Sequence, residues 1–148
     1  MRSSQSEPDR HDERGRALNP GSRDAQHAIL YDADCGFCKW SLDKILGWDR
    51  HRRLRPIAIQ SDEGQALLAA VPEVERLDSW HLVSPAGDVR SAGAAAAPLA
   101  ELLPGGRPLA RMFRSFPRAT ERAYRLVAGH RDRLARVLRI GANCQIRR

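Results

Sequence analysis

Two cysteines three residues apart, Cys35 and Cys38, stand where an apolar run changes into a helical repeat. That junction constrains the chain more than any other feature. Residues 28–31 are short, apolar and of β type, and residues 32–35 break the run. From Gly36 onward, Cys38, Leu42, Ile45 and Leu46 recur at i, i+4, i+7 and i+8, one face of a helix. Gly47 is the expected C-terminal stop of that helix. A CxxC placed between a strand and an amphipathic helix has three readings: a redox pair, half of a zinc site, or two small core residues.

Disulfide exchange needs an accessible thiolate to attack and a nearby thiol to resolve the mixed disulfide. At a helix N-terminus, unpaired N–H groups and the helix dipole favour the thiolate of the first cysteine. Cys38 shares its face with Leu42 and Ile45, so it is the expected buried, resolving partner, and Cys35 the attacking one. Asp32 and Asp34 add negative charge, which raises a thiol pKa, and Lys39 partly offsets them. Asp34 also suits a helix cap or a turn, and a buried Asp32 suits proton acceptance from Cys38. Zinc needs four ligands. Here they would have to be Cys35, Cys38, Cys144 and one of His51, His81 or His130, with no supporting spacing.

The remaining elements follow from punctuation and period. Residues 54–59 read as a strand that Pro56 confines to an edge. Ser61 with Asp62 and Glu63 marks a helix start, Leu67, Leu68 and Val71 give its apolar face, and Pro72 closes it. Residues 80–83 and 89–91 flank the turn Pro85-Ala86-Gly87-Asp88 as a β-hairpin. Residues 93–103 are helical, with Pro98 starting or kinking part of the segment. The order β-α-β-α-β-β-α describes an α/β sandwich.

Residues 109–140 form a basic helical region in which Ala123, Val127, Leu134 and Leu138 can line one face. Arg118, Arg122, Arg125, Arg133 and Arg136 occupy the others, as a solvated outer face or as a surface for anionic lipid. Basic residues number 25 against 18 acidic, and only Lys39 and Lys44 are lysines. No RNA-binding aromatic signature or glycine-rich phosphate loop accompanies this charge, so no nucleic-acid partner is expected. Residues 1–26 carry almost no large apolar side chain beyond Leu18 and read as a disordered polar tail, leaving 27–148 as one domain. There is no apolar signal region and no stretch near the roughly 20 apolar residues of a membrane span. A cytoplasmic location is the expectation, and in a reducing compartment a CxxC favours catalysis or metal binding over a static bridge.

The stretch "ILYDADCGFCKWSL" resembles the opening signature of the DCC family of thiol-disulfide oxidoreductases, in which an apolar strand ends in Asp-x-x-Cys-x-x-Cys. Here the pattern falls on Asp32, Cys35 and Cys38, with Ala33 where the family often has glycine. "RPIAIQSDEG", "SWHLVSPAGDVRSAGAA" and "RAYRLVAGHRDRL", with Cys144 after them, extend the resemblance over residues 28–146. The resemblance implies a thioredoxin-like fold with additional C-terminal helices, and disulfide reductase activity without an organic cofactor. It also implies disulfide-containing protein or small-molecule substrates and a thiol electron donor. Where thioredoxins place a cis-proline facing the CxxC, this chain has Asp78-Ser79-Trp80. Two other readings stay open: a thioredoxin-like interaction domain whose basic helices bind a membrane surface or partner, and a zinc-binding module.

Overall fold

The computed structural model describes residues 25–140. Cys144 and the expected tail up to residue 24 lie outside the described residues. The elements run β1 (His27–Tyr31), α1 (Gly36–Trp48), β2 (Leu54–Ala58), α2 (Asp62–Leu67), α3 (Glu73–Arg76), β3 (His81–Val83) and β4 (Val89–Ser91). A 3-10 turn (Ala92–Ala95) then leads into α4 (Ala96–Leu102), α5 (Arg107–Ser115), α6 (Pro117–Gly129) and α7 (Arg131–Val137). The sheet order is β2-β1-β3-β4, with β1 parallel to β2 and antiparallel to β3, and β4 antiparallel to β3. This mixed α/β arrangement is consistent with the thioredoxin-like fold that the family resemblance implies.

Strand β1 is central and covered on both faces, which is why it reads as an unbroken apolar run. On one side Ile29 packs with Leu42 of α1, Leu82, Ala95, Leu99 and Leu103. On the other, Ala28 and Leu30 pack with Ile57, Ile59, Leu68 and Val83. Pro56 pairs opposite Ile29 in β2, an edge strand, where a missing N–H donor is tolerated. Ser61 caps α2 by accepting the Gly64 N–H at 3.1 Å. The β3–β4 turn closes through the Gly87 N–H to the Ser84 carbonyl at 2.9 Å, with Gly87 at φ 91°, a conformation that glycine adopts without a side-chain clash. Among the described residues no helix is long and apolar enough to cross a membrane.

Three expectations change. Gly47 does not stop α1; the helix continues to Trp48 and ends at Asp49, whose N–H donates to the Ile45 carbonyl. The buried Asp49 carboxylate also accepts the Leu54 N–H at 2.8 Å, tying the end of α1 to the start of β2. Helix α2 ends at Leu67, short of Pro72. Pro98 keeps the starting position expected of it, in the first turn of α4, where N–H groups lack intrahelical acceptors. The C-terminal face is also different. Ala123, Val127 and Leu138 are exposed, while Tyr124, Ala128, Arg131, Leu134 and Ala135 face inward at least in part.

Helix α6 is seated by a close backbone approach. Gly93 donates its N–H to Glu121 Oε2 at 3.0 Å, and a Cβ at Gly93 would stand 2.8 Å from the Glu121 Cα. Gly47 is exposed in the last turn of α1, with nothing within 4 Å of a Cβ built there. Gly93→Ala is therefore expected to destabilise the protein by about 1–3 kcal/mol through overpacking. Gly47→Ala is expected to stabilise it by about 0.5–1 kcal/mol through lost backbone freedom. Urea denaturation of the two variants checks both signs; equal effects would place α6 elsewhere.

Candidate functional site

The loop between β1 and α1 is held from two sides. Asp32 Oδ1 accepts the Asp34 N–H at 2.9 Å, and the Cys35 N–H reaches the Asp32 carbonyl at 3.3 Å. Gln60, just beyond β2, donates to Asp32 Oδ1 at 2.7 Å and accepts the Ala33 N–H at 3.2 Å. A short polar side chain that bonds its own backbone two residues on is the usual reason for aspartate in such a turn. The turn delivers Cys35 to the N-cap of α1 with extended backbone, φ −90° and ψ 109°. Its Sγ accepts the Cys38 N–H at 3.2 Å, the place normally taken by a serine or aspartate oxygen. Asp34 is therefore not the cap; it is exposed, and its carboxylate reaches Gln60 at 3.4 Å.

Both cysteines are free thiols and both are half-buried, Cys38 the more deeply. The Cys38 thiol donates to the Cys35 sulfur, and this bond is the main cause that lowers the Cys35 pKa to about 6. The Cys38 backbone N–H and the Arg131 guanidinium act in the same direction, against burial and the Asp32 charge. The same thiol–thiol bond, with burial and the negative charges of Cys35 and Asp32, pushes the Cys38 thiol strongly up. The two thiols are thus split into one thiolate near neutrality and one that keeps its proton.

Arg131 is a cation acting on the pair that sequence reasoning missed. Of the ten arginines between Arg107 and Arg139, only Arg131 is half-buried; the others are exposed. It lines a cavity of about 210 Å³ together with Asp32, Phe37, Cys38, Trp80 and Tyr124. Burial raises the Tyr124 phenol, and a hydrogen bond to the Trp80 backbone opposes that shift. The segment Asp78-Ser79-Trp80 forms another wall of the same cavity. The signal that finds Tyr124 and Arg131 is their spacing with Ala128 and Ala135, the i, i+4, i+7, i+11 face of α6 and α7.

Among the described residues no group of three or more His, Cys, Asp or Glu side chains is placed to hold a metal ion. His81 is buried, and both ring nitrogens are engaged: Nε2 donates to the Arg76 carbonyl at 2.9 Å and Nδ1 meets Ser91 Oγ at 2.7 Å. His51 is exposed, and His130 Nδ1 bonds the Leu126 carbonyl at 2.8 Å. Cys144, the further ligand considered, lies outside the described residues.

The electrostatic balance is testable on the reduced protein. Iodoacetamide should alkylate Cys35 with a rate that rises through about pH 6 and is flat by pH 8, with Cys38 far slower. Arg131→Met should move the midpoint up, Arg131→Lys should restore most of it, and Asp32→Asn should move it down. A midpoint unmoved by Arg131→Met would remove that guanidinium from the thiolate's surroundings.

A family model described as DCC1-like thiol-disulfide oxidoreductase matches residues 29–137. No match was found among curated proteins or among solved structures. The matched span begins inside β1, takes in the turn and both cysteines, and ends at the last residue of α7, so it includes every element that builds the site. The chain belongs to the DCC1-like thiol-disulfide oxidoreductase family.

Proposed function

We propose that the protein is a dithiol-disulfide oxidoreductase of the protein-disulfide reductase type, with Cys35 attacking and Cys38 resolving. The observation that carries this reading is the Cys35 sulfur at the N-cap of α1, accepting the N–H of the second cysteine. The Cys35 thiolate attacks one sulfur of a substrate disulfide, forming a Cys35–substrate bond and releasing the other sulfur as a thiolate, which takes a proton. Cys38 then loses its proton and attacks Cys35 Sγ, releasing the second substrate thiol. The chain is left with a Cys35–Cys38 disulfide, which a low-molecular-weight or protein thiol donor reduces.

The geometry supplies a reason for that order. In the dithiol, the bond to Cys35 and its negative charge are two of the causes that keep the Cys38 proton in place. Both vanish when Cys35 becomes a mixed disulfide, whereas Arg131 still favours a Cys38 thiolate. Cys38 therefore becomes acidic when its thiolate is needed. In this reading Asp32, which lines the cavity with Cys38, accepts the proton. A reducing cytoplasm suits the cycle, since its thiol pools return the pair to the dithiol.

Turnover of a peptide disulfide with a thiol donor separates these roles. Cys35→Ser should abolish it, Cys38→Ser should stall as a Cys35-linked mixed disulfide, and Cys144→Ser should stay close to the parent. Lost turnover in a folded Cys144→Ser variant would replace the two-cysteine cycle with a three-thiol relay.

A further inference from the structure

The cavity beside Cys38 has properties that thiol exchange by itself does not require. Its surface is mainly apolar, with Ile29, Leu42, Ile45 and Trp80 among its walls. A cavity of roughly 150 Å³ lined by such side chains stays dry and takes a benzene-sized guest. At about 210 Å³, this one has room for an aromatic ring or a branched aliphatic group. Its charged neighbours are two carboxylates, Asp32 and Asp78, against one guanidinium, Arg131, so it offers no net attraction to an anion. Cys38 forms part of the wall, and its N–H lies 3.2 Å from the Cys35 sulfur. The cavity thus opens beside the residue that holds the Cys35 sulfur, so a group seated in it and a sulfur joined to Cys35 can belong to one molecule.

We propose that this cavity is a specificity pocket, receiving an uncharged aromatic or branched aliphatic group that stands next to the substrate's disulfide. The inference rests on exchange at Cys35 and deepens it, by naming which disulfides the site selects. The group can belong to a protein side chain or to a small disulfide; the shared chemistry is an apolar body within a few bonds of sulfur. Val127 and Ala128 of α6 line the cavity, Val127 exposed and Ala128 half-buried, so larger side chains there can fill it with little disturbance of the core.

The experiment uses the full chain and two matched pairs of disulfides. One pair is the disulfide-linked dimers of Gly-Cys-Phe amide and Gly-Cys-Gly amide; the other is the benzyl and methyl mixed disulfides of cysteamine. The parent should show kcat/KM at least about tenfold higher for the apolar member of one or both pairs. A preference within the peptide pair alone identifies a protein side chain as the guest, and within the cysteamine pair alone a small molecule. Toluene should bind the reduced parent, read by NMR, and binding should be lost in Ala128→Phe or Val127→Trp. In a variant that has lost toluene, the ratio within each preferred pair should fall to about one. Equal kcat/KM within both pairs, or a preference that survives the loss of toluene binding, would overturn the pocket's role and leave exchange intact. Bound toluene with no reduction of any of the four disulfides would instead overturn the exchange reading, and the substrate role with it.

Discussion

The hydrogen bond from the Cys38 N–H to the Cys35 sulfur, at 3.2 Å, is the contact on which the rest of the site depends. It exists because a cysteine occupies a helix N-cap, where a polar oxygen ordinarily sits. The consequence is an asymmetric pair. One sulfur takes a backbone N–H at the helix start, and the other lies one turn on, against the interior. Changing the cap would alter the Cys35 sulfur and the helix start together.

Holding a sulfur at that point requires the chain to turn sharply between β1 and α1. The bonds from Asp32 and Gln60 brace the turn from within and from the far end of β2. They also explain why Asp32 is present although its charge opposes the Cys35 thiolate. Its turn-forming bonds are local and geometric, and the opposing charge is countered by a guanidinium from the other end of the domain. Helix α7 carries that guanidinium. It packs against α1 and follows α6, which rests on the backbone at Gly93. The C-terminal helices thus complete an electrostatic environment that the first strand and helix begin.

Much of this was legible in the residues. The β1–α1 junction, the edge position of Pro56, the Ser61 cap and the β3–β4 hairpin each follow from local chemistry that the tertiary structure leaves in force. The C-terminal face was misread for a physical reason. A search for the most apolar stripe selects Ala123, Val127, Leu134 and Leu138, but the inward side carries Tyr124 and Arg131 because it borders a cavity and a pair of thiols. Apolar periodicity locates a face that fills a core, and it fails where an inward face lines a cavity with polar and charged groups. Gln60 was missed because a lone glutamine after a strand gives no sign of its partner 28 residues earlier. Gly47 misled because a helix end also needs a partner for its last groups, and Asp49 supplies it two positions later.

In the proposed cycle Cys35 and Cys38 exchange between dithiol and disulfide as one unit. The direct measurement is mass mapping of reduced protein that has been treated with one equivalent of a small peptide disulfide, quenched in acid and alkylated in denaturant. The account predicts a peptide pair joined through Cys35 and Cys38, with Cys144 alkylated and the peptide released as free thiol. Protein that kept both Cys35 and Cys38 as free thiols while the peptide disulfide remained intact would contradict it.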